Sequence, residues 1–286
     1  MLSLLCLLLA ADHPVQLTLI PNATEILQRD NLLLLSVLEN RSISAVHVMP
    51  DKGEDLGGGH ICYEIEKDGS WVRITPAFSQ IAFLCGLKGK LVLSGESSYA
   101  ERESIHRRSL KGAFLFETPG TYKLRAVAQM PWGEHPSEPV TITVKARPEI
   151  DLQAIESVTP MDLWALGRPS LERPLPENLL KLKSVGGNIA HTLEQWEMAQ
   201  AACEGGKWKD AVILKEKNCQ WMKKNMDSVA LEHSLDVLSR YYLSKRHWEA
   251  LPRCLEAMQY DSSMRRELIY QQKLLARPPT PAIPEP

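Results

Sequence analysis

The sequence lacks an excess of one charge sign, a long hydrophobic run and closely paired cysteines, and each absence removes a class of function. Its 33 Lys and Arg against 35 Asp and Glu give a net charge of −2. Residues 12–147 carry 16 acidic and 15 basic side chains, and residues 148–286 carry 19 and 18. Because nucleic-acid binding relies on a basic excess that neutralises phosphates, nucleic acid is not expected as a partner.

The apolar run at the N-terminus is too short to cross a membrane. It covers residues 2–9, whereas a transmembrane helix needs about 20 apolar residues. The alanine pair and the aspartate that follow resemble the cleavage zone of a secretory signal. We therefore predict a signal segment over residues 1–11 and a periplasmic or extracellular protein. The alternatives are a first strand and a truncated start.

The cysteines show neither a disulfide scaffold nor a zinc site. Without Cys6 of the signal segment, an odd number is left, and none of them has CxxC spacing. Two arrangements stay open for Cys62 and Cys85: a bridge between them, or two separate thiols, which we favour. The five cysteines after the signal segment are Cys62, Cys85, Cys203, Cys219 and Cys254.

The sequence contains no metal or nucleophile motif. HExxH, an EF-hand loop and GxSxG are all missing. The loop Asp51–His60 has three acidic residues that suit calcium, but their spacing matches no calcium loop, so a solvated connection is the preferred interpretation. We predict no enzyme activity, no cofactor and no metal.

Short apolar or alternating segments, separated by turn residues, predict strands between residues 15 and 145. In residues 60–74, Ile61, Tyr63 and Ile65 share one face, and Lys-Asp-Gly-Ser then turns the chain into a hairpin. The apolar run in residues 31–40 predicts a strand buried between two sheets. The predicted strands are 15–20, 31–40, 45–49, the hairpin 60–74, 90–94, 113–117, 122–128 and 139–145, and residues 96–104 are predicted to be an exposed loop.

The stretch FETPGTYKLRAVA, residues 116–128, places a Pro119–Gly120 turn before an alternating strand. Together with LLLLSVLENRSISAVHVM and SEPVTITV, it resembles the immunoglobulin-like (Ig-like) β-sandwich domains of bacterial secreted and lipoprotein-like proteins. The resemblance covers residues 15–146 and implies an all-β Ig-like sandwich in a domain over residues 12–147. It implies no function, because this sandwich hosts many unrelated roles.

The second half of the chain changes to helical periodicity. Residues 148–176 contain five prolines and predict a connector, with a short helix near residues 160–166. An apolar pattern of helical period then predicts an all-α domain over residues 177–276. The tail, residues 277–286, again has five prolines and is predicted to be disordered.

Two of the predicted helix pairs resemble tetratricopeptide repeats. Trp208 and Ala211 fall at the family's aromatic and small positions, and Tyr241, Ala250 and Ala257 fit similarly. The spacing of 39 residues from Ala211 to Ala250 exceeds the family's period of about 34, so a helical-hairpin stack of another kind is the alternative. The predicted fold class is therefore α+β by domain, with an N-terminal all-β Ig-like sandwich and C-terminal all-α hairpins.

Three residues are the candidate binding residues. Trp132 lies in the loop MPWGEHP, where an exposed ring suits a protein or a sugar; alternatively, it covers the end of the sandwich. Arg240 and Tyr241 are candidate contacts because Arg and Tyr are enriched at interface hot spots; alternatively, Tyr241 is core and Arg240 is solvated. Other polar residues predicted outside the core are Gln195, Gln200 and His233, and the helical tryptophans, mostly predicted as core, are Trp196, Trp208, Trp221 and Trp248.

These observations predict a non-catalytic protein that binds or scaffolds another protein at the cell envelope. Stacked helical hairpins expose a groove between their first helices in which a peptide segment can dock. The second hypothesis is a carbohydrate- or wall-binding module that uses the loop aromatics. A hydrolase with a site that no motif marks is the third.

Overall fold

The computed structural model describes residues 14–49, 60–74, 91–106, 113–159, 162–163, 166, 175–203, 214–245, 247–248 and 250–260. Within these ranges, eleven strands precede six α-helices. The strands are β1 Val15–Pro21, β2 Glu25–Leu27, β3 Leu32–Asn40, β4 Val46–Val48, β5 Ile61–Lys67, β6 Ser70–Ile74, β7 Leu91–Leu93, β8 Ser97–Ile105, β9 Gly120–Met130, β10 Gly133–Pro136 and β11 Val140–Lys145.

The strands form three sheets of different size. The first sheet has the order β1-β3-β8, and the second has the order β2-β11-β9-β5-β6, with β10 also paired to β9. A two-stranded sheet joins β4 and β7. The pairs are antiparallel except for β2 and β11, which run parallel. The larger sheet is therefore mixed.

The central strand β3 is buried on both faces, which accounts for its continuous apolar sequence. Leu32, Leu34 and Leu38 lie in a core with the larger sheet, whereas Leu33, Leu35 and Val37 lie in a second core with the helices. Since successive side chains of a strand point to opposite faces, the apolar residues of this run are buried on one side or the other. The prediction that β3 is buried is confirmed, but helices rather than a second sheet cover one face.

The Ig-like all-β sandwich predicted for residues 12–147 is wrong. The larger sheet is mixed, and the helices share a core with β3, so the chain is a mixed α/β protein with strands first and helices after them. The alternation of apolar residues specifies strands and which face is buried. It does not specify which element covers that face.

Two segments exchange the roles that their sequences predict. Most of residues 96–104, predicted as an exposed loop, belong to the nine-residue strand β8, Ser97–Ile105, which pairs with β3 along its whole length. Residues 113–117, predicted as a strand, instead form a turn, with Phe114 packed among helical residues such as Ile155 and Leu193. The polar composition of β8 gave no sign of a strand. The apolar composition of residues 113–117 predicted a strand that does not form.

The later helices pack against the face of the first sheet that points away from the larger sheet, and the earlier ones form a separate cluster with Phe114. They are α1 Glu149–Glu156, α2 Glu177–Lys181, a 3-10 turn Leu182–Val185, α3 Gly187–Ala202, α4 Glu216–Asn225, α5 Ser228–Ser244 and α6 Ala250–Ala257. Asp227 caps α5 because its side chain accepts a hydrogen bond from the amide of Ala230 at 2.7 Å. The helix α1 lies within the predicted connector, where it buries Leu152 and Ile155.

The tetratricopeptide-like arrangement is not confirmed by these helices. Trp208 and Ala211 lie outside the described residues, as do the predicted signal segment, most of the Asp51–His60 loop, Cys85 and the tail. The bounds proposed for the domains stay a prediction. No helix in the described ranges combines the length and apolarity that a membrane crossing requires.

A buried junction fixes the start of α3 to the strands. The Asp30 carboxylate accepts hydrogen bonds from the amides of Asn188 at 2.9 Å and Ile189 at 3.1 Å, and from the Arg147 guanidinium at 2.5 Å. Arg147 also donates to the carbonyl of Val185 at 2.8 Å. The carboxylate therefore neutralises an arginine and binds two amides at a helix N-terminus, where such groups lack intrahelical partners.

Candidate functional site

Trp132 lies at the tip of the hairpin that joins β9 to β10. Gly133 pairs with Met130, so Pro131 and Trp132 form a two-residue turn. Half of the Trp132 surface, 50%, is exposed to solvent. The ring is therefore not fully folded over the sheets, and its role in binding stays a prediction.

Arg240 and Tyr241 lie in the last two turns of α5. The Arg240 side chain is 43% exposed, and its Nε donates to Asp236 Oδ2 at 2.8 Å. Tyr241 is half-buried, with its ring 5.9 Å from Tyr242 and 6.4 Å from His247 between centroids. The tyrosine thus borders both the helical core and the surface.

Two of the other polar residues predicted on this surface are buried instead. Gln195 accepts a hydrogen bond from the amide of Asp227 at 3.2 Å. His233 faces the sheet, with Nε2 3.1 Å from the carbonyl oxygen of Leu34. Each of these polar side chains has a hydrogen-bonding partner on a neighbouring element. A single sequence does not reveal such partners.

The helical tryptophans divide into a buried one and two exposed ones. Trp196 is buried and donates its indole N–H to the carbonyl of Leu166 at 2.7 Å. Trp221 on α4 is 42% exposed, and Trp248 just before α6 is 39% exposed. The prediction that most of them are core therefore fails for these two. The exposure of Trp221 was detectable from helical periodicity, because the buried residues of α4, Cys219 and Met222, lie on the other side of the helix.

A polar cleft of about 410 Å³ opens where β2 and β11 meet the start of α3. His191 Nε2 lies 2.9 Å from Asp227 Oδ2, and Asn22 and Asn188 exchange amide hydrogen bonds at 2.9 and 3.2 Å. Lys145 pairs with Glu25 at the rim. The described lining residues include no Ser, Thr or Cys, so the cleft offers hydrogen bonds but not a hydroxyl or thiol nucleophile beside His191. The lining consists of Asn22, Ala23, Glu25, Ile26, Leu27, Lys145, Gly187, Asn188 and His191.

The four described cysteines carry free thiols and are all buried. Burial raises the pKa of Cys203 to about 12 and that of Cys219 to about 11, and it raises the pKa of Cys254 as well. A thiol attacks or binds metal as its thiolate, which these environments disfavour. Among the described residues, no group of three His, Cys, Asp or Glu side chains is arranged to hold a metal ion.

No family model matches the chain, and no curated protein matches it. Solved structures resemble it only weakly. The sporulation control protein Spo0M of Bacillus subtilis aligns with a TM-score of 0.31 and 12% identity, over 50% of this chain and 55% of that one. An alkylpurine DNA glycosylase of Pseudomonas fluorescens aligns with a TM-score of 0.29 and 12% identity, over 46% of this chain and 31% of that one. A β-glucosidase of Erythrobacter marinus gives a TM-score of 0.26 and 11% identity, over 46% and 15%. The aligned region thus spans about half the length of the first protein and less than a third of each of the other two. Likeness at this level carries no functional argument.

Proposed function

We propose that the protein is a non-catalytic interaction or scaffolding protein of the cell envelope and that its helical layer binds another protein. The observation that carries this proposal is the exposure of Trp221 and Trp248, at 42% and 39%, on the outer helical layer. Exposed tryptophan is unusual on a free surface, and tryptophan is enriched among the residues that dominate interface energies.

The helical layer is anchored well enough to present a fixed surface. Arg102 of β8 pairs with Glu232 of α5, and both side chains are almost fully buried. His233 makes a further contact to the β3 backbone. A surface held in one conformation before binding loses less conformational entropy when a partner docks.

We place Tyr241, and Arg240 as its neighbour in α5, on the proposed surface because Tyr241 lies beside His247. His247, whose ring lies 6.4 Å from that of Tyr241, is the neighbour of Trp248 in the chain. Tyrosine, tryptophan and arginine in one region are the residue types that interfaces favour.

Photo-crosslinking in the full chain tests this proposal. We replace Trp221, Trp248 or Trp132 singly by the photoreactive amino acid p-benzoylphenylalanine and irradiate intact cells. We expect crosslinks to one discrete protein from positions 221 and 248, and not from position 132, which serves as the aromatic control of similar exposure. Crosslinks from position 132 alone, or none from the helical positions, would contradict a helical docking surface.

A second candidate function, carbohydrate or cell-wall binding, is favoured by the half-exposed Trp132 at a hairpin tip. Aromatic rings at such positions can stack on the apolar face of a sugar. A glycan array probed with the full chain tests it. Selective binding that disappears in Trp132→Ala, but persists in Trp221→Ala, would establish this alternative.

The envelope assignment rests on the sequence at residues 1–11, which lie outside the described residues. Cell fractionation with an antibody against the chain tests it. We expect the protein in the periplasmic or secreted fraction, and retention in the cytoplasm would remove this part of the proposal.

A further inference from the structure

The helix α4 presents a basic face on a chain whose net charge is −2. Between residues 215 and 224 lie four lysines and one glutamate, so this short segment has a charge of +3. Lys217, Trp221 and Lys224 are all exposed and follow one another at positions i, i+4 and i+7. They therefore form one line along the helix, with the exposed indole between two ammonium groups.

The three lysines within α4 itself keep their charge without ion pairs to the described part of the chain. Lys217, Lys223 and Lys224 form no ion pair with any described residue. Glu216, the acidic residue of the segment, accepts a hydrogen bond from Gln220 at 3.2 Å. Most other described lysines lie near carboxylates. Lys123 pairs with Glu66 at 2.8 Å, and Lys183 pairs with Glu197 at 2.7 Å. Among the described lysines, those of α4 therefore form a cluster without carboxylate partners.

The packing of α4 determines what kind of partner suits this face. Cys219 and Met222 point into the helical core, so the apolar side of the helix is already covered. A membrane-surface helix inserts its apolar side among the lipids, and α4 has only Trp221 left for that purpose. A face with one large apolar ring inside a rim of positive charge instead matches a protein interface, where an aromatic anchor is surrounded by polar residues.

We propose that α4 binds an acidic segment of a partner protein, with carboxylates on Lys217 and Lys224 and an apolar side chain over Trp221. The two lysines are seven residues apart, which on a helix corresponds to about 10 Å. The partner's carboxylates must be separated by a similar distance. This inference rests on the proposed function and adds the chemistry of the partner to it.

The test begins with the full chain immobilised and a phage library of random 12-residue peptides. We expect enrichment of peptides with two or more Asp or Glu residues around an aromatic or aliphatic residue. The affinity of a synthetic copy should weaken at least tenfold in Lys217→Glu/Lys224→Glu and in Trp221→Ala. It should also weaken as salt rises from 20 to 150 mM, because the lysines are exposed.

Matched controls separate a specific site from net charge. Lys67→Glu/Lys181→Glu changes the chain charge by the same amount at two other exposed lysines, and Ile150→Ala removes another large exposed apolar side chain. Both should retain the peptide affinity within about twofold. Neutral or basic peptides, no enrichment, or equal loss in the control variants would overturn the inference. Binding to vesicles containing 30% phosphatidylserine, lost in Lys217→Glu/Lys224→Glu without any acidic-peptide binding, would also overturn it.

Failure here is distinguishable from failure of the proposed function. If the crosslinks from positions 221 and 248 persist in Lys217→Glu/Lys224→Glu, the helical layer still binds a protein, and only the acidic character of its partner is wrong. If those crosslinks are absent even from the chain that carries the photoreactive residue without the lysine changes, the proposed function itself fails.

Discussion

At the scale of single residues, the junction between strands and helices depends on buried polar groups. Water does not reach them, so it cannot replace a hydrogen-bond partner that is lost. Asp30 and Arg147 are fully buried as side chains, and together they contact the amides and carbonyls around the start of α3. Breaking a buried pair by removing one member costs about 3–5 kcal/mol, because the remaining charge is left without compensation. The fold is thus sensitive to any change that separates these two groups.

Gly187 lies against this pair, and its substitution tests the joint. A Cβ atom there would lie 2.6 Å from Asp30 Oδ2 and 2.7 Å from Arg147 Nη2, and its φ is +69°. Gly186 has nearly the same φ, +68°, but a Cβ atom there meets nothing within 4 Å. Gly186→Ala should lower the free energy of unfolding by the backbone strain alone, which is about 1–3 kcal/mol. Gly187→Ala should cost more, since it also displaces the ion pair.

Urea denaturation of both glycine variants, followed by circular dichroism, measures the difference. We expect a lower midpoint for Gly187→Ala than for Gly186→Ala, with an unchanged m-value. Equal midpoints would show that the Asp30–Arg147 pair moves aside at no cost.

At the scale of elements, sequence patterns predicted most strands but not how they are covered. Alternation or apolar runs located β1, β3, β5 and β11, because a buried face requires apolar residues at every second position. The strand β8 escaped because SSYAERESI is rich in charged and hydroxyl residues. Its Arg102 is buried, and the carboxylate that pairs with it belongs to Glu232, 130 residues later in the chain. Pairings at such separation leave no trace in local periodicity.

The candidate binding residues were likewise predictable only in part. Trp132 and Arg240 were predictable as surface residues from a turn and from helical spacing, and both are exposed. Trp221 and Trp248 were assigned to the core by their residue type, because tryptophan is usually much buried. The helical spacing of Cys219 and Met222, the buried residues of α4, indicates that Trp221 lies outside, but residue type was weighed above it.

The Arg102–Glu232 pair provides a test of how α5 is held on β8. Glu232 also accepts a hydrogen bond from the amide of Gln259 at 2.6 Å. Arg102→Met alone leaves a buried carboxylate and should destabilise the fold by about 3–5 kcal/mol. Arg102→Met combined with Glu232→Gln removes both charges and should be less destabilising than Arg102→Met alone. Thermal unfolding of the single and double variants decides, and additive losses would contradict direct pairing.

The buried thiols of the helical layer predict chemical inertness at neutral pH and a loss of stability in alkali. Folding raises the pKa values of Cys203 and Cys219 to about 12 and about 11, above the unfolded value of about 8.5. The folded state thus favours the neutral thiol. This contribution is complete below about pH 8.5 and is lost as the pH rises toward the folded pKa values.

Iodoacetamide labelling at pH 8 measures the state of these thiols. In a Cys6→Ser/Cys85→Ser background, we expect no rapid modification of the remaining cysteines in the native protein and full modification in guanidinium chloride. As a second measurement, the unfolding free energy of Cys219→Ala should fall less between pH 8.5 and 10 than that of the parent. Rapid native labelling of any one thiol would show that its surroundings open readily or stabilise the thiolate.

At the scale of the whole molecule, the helices and strands share a core, which has consequences for their independence. Leu33, Leu35 and Val37 of β3, with Ala100 of β8, pack into the same cluster as the helical residues. Removal of the helices would expose this apolar strip and leave Arg102 without its carboxylate partner. Folding of the first sheet is therefore coupled to docking of the helical layer.

The predicted division into residues 12–147 and 177–276 can be tested directly against this coupling. We expect the full chain to unfold in one transition that coincides by far-UV circular dichroism and tryptophan fluorescence. The fragment 12–147 should show no cooperative transition and should bind a hydrophobic dye. The same fragment with Leu33→Thr, Leu35→Thr and Val37→Thr should bind less dye, since threonine suits an exposed strand. A fragment that unfolds cooperatively near the temperature of the full chain would show instead that the strand-rich part is an independent domain and that the shared core adds little to its stability.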